Sequence, residues 1–204
     1  VEVLRLGDEL HPRHLRRDAH EALDPYWWMD PLRAAGAVTL IADRMLAIGD
    51  GGWVTRALAA EQDLCALEDE IRERLWRRGS EPRYLLTDRP GLDYFAERYD
   101  CLIERPDPLV VEPLGPSSVT EIPSQAAGLP LGCVSRIPPT MPPGAGVSRV
   151  DPIGPPIVGV ALFFESLGAP GSGAETYDDM LLTNADRIAH AGSTVLVQRT
   201  RTDA

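Results

Sequence analysis

Three groups of polar side chains carry the functional groups and intervals that catalysis or ligand binding needs. Thr87-Asp88-Arg89 stands at the carboxyl end of an apolar run over residues 83–87 that reads as a strand. In an open α/β sheet this is where pockets form. There Asp88 serves as acid, base or ligand, and Arg89 grips a carboxylate or phosphate through paired hydrogen bonds. Glu165, late in a second apolar run, shares the acid–base work with Asp88 while Arg89 orients an anionic substrate. The same turn also suits a plainer task, capping a helix opened by Pro90.

The second group is His11, His14, Asp18 and Glu21. Pro12 fits a first helical position, and Leu15, Ala19, Ala22 and Leu23 recur at helical spacing, so residues 12–23 read as a helix. Steps of three, four and three residues then place all four polar groups on one face. Imidazole and carboxylate donors so spaced hold zinc or iron, and a divalent metal is the cofactor this pattern implies. A solvated helix face has the same composition.

The third group is the loop Gly168-Ala169-Pro170-Gly171-Ser172-Gly173, between an apolar run and a helical segment. It resembles the phosphate-binding loop of P-loop nucleotide enzymes, G-x-x-x-x-G-K-[ST]. The resemblance implies that the backbone at Gly171, Ser172 and Gly173 cradles an anion at a helix start. Ala174 and Glu175 replace the lysine and the hydroxyl that complete that pattern, and Glu165, Glu175, Asp178 and Asp179 surround it with negative charge. Those acids oppose a triphosphate unless a cation intervenes.

Tyr26, Trp27 and Trp28 form a dense aromatic set that either lines an apolar cavity or anchors a contact. A serine or cysteine nucleophile has little support: no G-x-S-x-G elbow occurs, and His190 stands alone outside the N-terminal segment.

Composition narrows the classes. Thirty-one acidic against twenty basic residues give a net charge of −11, which disfavours nucleic acid and anionic membrane surfaces. All twenty basic residues are arginine, which removes Schiff-base lysine chemistry. Three dispersed cysteines, Cys65, Cys101 and Cys133, fit a reducing compartment better than a disulfide framework. No apolar run is long enough to span a bilayer and no signal-peptide order opens the chain, so the expectation is a cytoplasmic protein with no membrane partner.

The elements that must position these groups follow from periodicity. Residues 53–78 hold one apolar face at helical spacing, with Glu68–Arg72, Glu70–Arg74 and Glu73–Arg77 as supporting i,i+4 pairs. Pro31 opens a short helix that Gly36 closes, and residues 37–42 and 45–48 read as a hairpin or bent strand. Strands are expected at 83–87, 101–104, 156–167 and 193–199, and helices at 92–99 and 176–191, where Thr176 and Asp179 form a capping box. Thirteen of the nineteen prolines fall in residues 106–156, which excludes a long helix and leaves edge strands and a surface strap.

The expected fold is α/β or α+β: a mixed sheet with flanking helices and a long proline-rich, partly β surface segment. The chain reads as a single domain, 1–204, with 106–156 inserted as a strap or arm between two ordered segments. The leading functional expectation is a cytoplasmic enzyme binding a small-molecule ligand in a carboxylate and arginine pocket at the strand ends. One alternative is a non-catalytic assembly or adaptor protein, a homo-oligomer built through the tryptophan cluster and the proline-rich arm. Another is a metal-dependent protein using the N-terminal His/Asp/Glu face.

Overall fold

The computed structural model describes residues 3–17, 20–77, 83–87, 91–104, 147–150, 157–191 and 194–199. Its first elements are a single helical turn, α1 (Leu6–Glu9), and two short strands, β1 (His14–Arg17) and β2 (His20–Leu23). The strands pair antiparallel, with His14 opposite Leu23 and Arg16 opposite Glu21. The helix expected over 12–23 is therefore a β-ladder. Leu15 pairs with Ala22, so apolar residues at helical spacing also meet as cross-strand partners, and over so short a stretch the two periods are hard to separate.

Asp24 then leads into a 3-10 turn at Trp27–Met29 and a helix, α2 (Pro31–Ala47). Asp30 caps α2 by accepting from Leu32 N at 2.9 Å, and Pro31 fills the first turn, where no N–H is needed. This helix runs straight through Gly36 and through most of the residues 37–48 that read as β. An alanine-rich run behind a good cap outweighs one glycine. At Gly36 a Cβ would stand 3.3 Å from Leu10 Cδ2, so the missing side chain lets the N-terminal segment close on α2.

The long helix α3 (Gly52–Trp76) matches the expectation and packs along α2. Its buried face carries Leu67, Ile71 and Leu75 together with Glu68, which pairs with Arg72 at 2.5 Å; the other two acid-to-arginine pairs, Glu70–Arg74 at 2.5 Å and Glu73–Arg77 at 2.8 Å, are more exposed.

The remaining elements are β3 (Arg83–Leu86), α4 (Asp93–Arg98), β4 (Cys101–Glu104), β5 (Val147–Val150), β6 (Ile157–Leu162), α5 (Tyr177–Ala191) and β7 (Thr194–Arg199). Among the described residues, five strands form one sheet in the order β4-β3-β7-β6-β5. The first four are mutually parallel and β5 adds antiparallel at the edge. Helices α4 and α5 are the parallel crossovers from β3 to β4 and from β6 to β7, giving the expected mixed sheet with flanking helices. Of the expected strap over 106–156, only the residues of β5 lie among the described ones.

The core forms where α3, α4 and α5 meet the sheet: Ile71, Phe95, Leu85, Leu162, Leu181 and Ile188 are almost fully buried. Each such side chain contributes about 1.5–3 kcal/mol of burial free energy. Arg98 of α4 grips both oxygens of Asp30 at 2.9 Å, so the cap of α2 is tied to the β3–β4 crossover. That tie fixes the 3-10 turn beside the sheet. No helix among the described residues is long and apolar enough to cross a membrane.

Candidate functional site

Because β3 and β6 both run parallel to β7, their carboxyl ends share one edge of the sheet. At the end of β3 stands Thr87, buried. At the end of β6 the chain continues through Phe163, Phe164 and Glu165, and each of the three is placed by a distant part of the molecule.

Phe163 is held by its backbone. Asn184, buried on α5, accepts from Phe163 N at 2.9 Å and donates through Nδ2 to Phe163 O at 2.6 Å. Phe164 is held on two sides. Its carbonyl accepts from Trp28 Nε1 at 3.0 Å, and its ring lies over Gly91, where a Cβ would come within 2.5 Å of the ring. Gly91 also has φ +126, a backbone conformation that a side chain strains. With both phenylalanines pinned, Glu165 faces outward and is exposed.

Tyr26 meets Glu165 there, its hydroxyl donating to Oε1 at 3.5 Å. Its ring packs edge-on against Trp28 and Phe164, with centroids 5.4 and 5.9 Å apart. Buried Asp24 accepts from Tyr26 N at 3.0 Å, which sets the entry to the aromatic turn. Tyr177 donates to Trp28 O at 2.6 Å. Burial, and then the charges of Asp30 and Asp178, push the Tyr177 hydroxyl well above the usual phenol range, so it stays a donor. The tryptophans are thus a brace: Trp28 supplies a hydrogen bond and Trp27 stacks edge-on against it at 5.8 Å.

Of the residues singled out from the sequence, Glu165 is in this site. Asp88 and Arg89 fall outside the described residues, directly after Thr87. The glycine loop closes on itself. Gly171 N donates to Glu175 Oε1 at 2.5 Å, Ser172 N to Ala169 O at 3.0 Å, Ala174 N to Ser172 Oγ at 3.2 Å and Gly168 N to Ala174 O at 2.7 Å. Backbone donors at Gly171 and Ser172 that would serve an anion are already taken, so the geometry departs from the nucleotide loop it resembles.

The helix that was to gather His11, His14, Asp18 and Glu21 does not form. His11 lies exposed ahead of β1 at φ +51, His14 opens β1, Glu21 lies in β2, and Asp18 is outside the described residues. No three His, Cys, Asp or Glu side chains among the described residues group closely enough to hold a metal ion. His190 is engaged locally, its Nδ1 2.7 Å from Asp186 O.

The sequence reading placed Glu165 at a strand end and Tyr26 in an aromatic cluster without joining them, because 139 positions separate the two. Asn184 and Gly91 went unread. A glycine is the default residue where the chain takes a left-handed φ or a group packs close to its backbone, and Gly91 meets both conditions.

Solved structures share this fold. The chain aligns with the periplasmic zinc binding protein TroA from Treponema pallidum at TM-score 0.54 and 17% identity, covering 88% of this chain and 67% of that one. It aligns with a metal-free point mutant of a periplasmic metal binding protein from Candidatus Liberibacter asiaticus at TM-score 0.58 and 15% identity, over 93% and 71%. The manganese-bound form of that mutant matches at TM-score 0.58 and 16% identity, over the same shares. No curated protein gives a significant match. A family model matches residues 1–191, and the chain belongs to that family, ZnuA, described as the periplasmic component A of a zinc-uptake complex.

Membership overturns the cytoplasmic small-molecule enzyme and the cytoplasmic location. It also stands against a chain with no membrane partner, since the family is a component of an uptake complex. The expectation of a small ligand holds in coarse form. Neither charge nor cysteine number decides the compartment: three dispersed cysteines are compatible with the cytoplasm without requiring it.

Proposed function

We propose that this chain is a periplasmic metal-binding protein that holds a metal cation and presents it to an importer in the membrane. What supports the reading is the family match over residues 1–191, combined with the meeting of the Glu165 carboxylate and the Tyr26 hydroxyl at the carboxyl edge of the sheet. Glu165 supplies the negative charge and Tyr26 a second oxygen. The aromatic brace and the Asn184 clamp hold the segment that carries Glu165, so that little ordering cost falls on binding.

The test is binding to chelator-stripped protein. Zinc or manganese raises Tm in the wild type, with a stabilisation of about 2.7 kcal/mol when free metal is a hundredfold above Kd. Glu165→Gln keeps the metal-free Tm and loses that rise. Failure of both metals to shift Tm, with none retained by elemental analysis after gel filtration, overturns the reading.

A further inference from the structure

We propose that two copies of this chain associate through α2, whose outer face carries an apolar seam left partly open among the described residues. Ala34, Val38, Ile41, Met45 and Ile48 follow one another at steps of four, three, four and three residues. That spacing lines one face of a helix, and it is the spacing at which two helices interlock their side chains.

The other faces of α2 are occupied. Ala35 and Ala42 are buried, and Thr39 between them donates to Glu61 Oε1 of α3 at 2.8 Å, so this side lies against α3. The N-terminal segment closes on Gly36 through Leu10, and Arg33 donates to the carbonyls of Leu10 and His11. At 3.6 residues per turn the seam is turned about a third of a turn from the α3 side and away from Gly36. The core described above holds none of its five residues. The first four are half-buried, and Ile48, 76% exposed, is the most exposed large apolar side chain among the described residues.

The occupant that fits this seam is the same seam on a second copy. A two-fold axis brings the two together, so one sequence supplies both sides of the contact. Charge points the same way. A chain of net charge −11 repels its own copies wherever acids face each other, and residues 34–42 carry no charged side chain, so repulsion is weakest there. A bilayer surface is a poorer match, because a helix that lies on one frames its apolar face with lysine or arginine. Here Asp43 stands beside Arg44.

Sedimentation velocity on the purified chain reads the association directly, with chelator present so that metal plays no part. The wild type passes from monomer to dimer between about 1 and about 100 µM. Ile48→Glu keeps the wild-type Tm, since the position is exposed, and weakens association at least about tenfold by placing a carboxylate in the contact. Ile41→Ala, a milder change in the middle of the seam, weakens it as well. Leu102→Glu, at an exposed apolar position on β4, leaves it unchanged. A wild type still monomeric at about 100 µM overturns the inference. So does a dimer that Ile48→Glu or Ile41→Ala leaves as tight, and so does equal weakening by Leu102→Glu, which would assign the contact to the sheet edge.

Discussion

Phe163–Glu165 and the loop 168–173 are neighbours in sequence at the same edge of the sheet, and they are held in opposite ways. The first segment is fastened by residues far along the chain: Asn184 on its backbone, Trp28 on its carbonyl, Gly91 beneath its ring. The second is fastened largely by its own residues, through bonds among Gly168, Ala169, Gly171, Ser172, Ala174 and Glu175, with Thr183 donating to Gly173 O from α5. Long-range anchoring takes up the backbone and sends one carboxylate outward. Local closure takes up the donors that made the loop look like a ligand site. A motif is therefore weak evidence until it is known where its backbone bonds go.

The largest effect is expected where the first segment touches Gly91. An added methyl group there must adopt φ +126 and displace the Phe164 ring from 2.5 Å. Backbone strain of about 1–3 kcal/mol and overpacking of similar size combine, so Gly91→Ala costs about 3–5 kcal/mol in denaturant unfolding. The equivalent change at Gly171, whose surroundings are open, meets the strain of φ +84 alone and costs less. Equal losses at the two glycines would break the contrast between the segments.

Next comes Asn184→Ala. It leaves a buried N–H and a buried C=O of Phe163 without their partner, at about 1–3 kcal/mol each. Chemical denaturation should show a loss of about 2–6 kcal/mol. Weaker metal binding accompanies it, because this clamp holds the segment that carries Glu165. Ser172→Ala removes one half-buried bond to Ala174 N and costs about 1 kcal/mol, less than Asn184→Ala, with metal binding unchanged. A Ser172 effect on binding would return the loop to the functional site.

Much of the scaffold was legible, for identifiable reasons. Helix α3 shows its period over many turns and supports it with three i,i+4 pairs. Helix α5 announces its start, since Thr176 Oγ1 accepts from Asp179 N at 3.2 Å. The strands at 83–86, 101–104, 157–162 and 194–199 are short apolar runs next to turn residues. Helix α2 was misread because Gly36 and Asp43-Arg44 looked like punctuation, and only the contact with Leu10 explains why Gly36 is tolerated there. The β1–β2 hairpin was misread because four-residue strands are too short to separate the two periods. The site itself was half legible. Glu165 could be found as an acid at a strand end, but its pairing with Tyr26 depends on how α2, α4 and the sheet pack, which no local pattern encodes.

The smallest expected effect is electrostatic and belongs to the turn after the glycine loop. Burial first, then the charges of Asp179 and Asp63, hold the Asp178 carboxyl above its usual range. A folded-state pKa above the unfolded one means that the folded state gains from the proton. This contribution is present while Asp178 is protonated and is lost as pH rises through its folded-state pKa. At neutral pH Asp178→Asn therefore raises Tm, and because the residue is largely exposed the gain stays near about 1 °C. As pH falls below the carboxylate range the wild type takes up the proton and the two melting curves converge. The same like-charge repulsion would meet a phosphate at this turn, so the sign of the Asp178→Asn shift tests whether the acidic turn repels anions. A fall in Tm at neutral pH would show that the helix N-terminus stabilises the charge more than its neighbours oppose it, and would remove the electrostatic part of the argument against an anion at the loop.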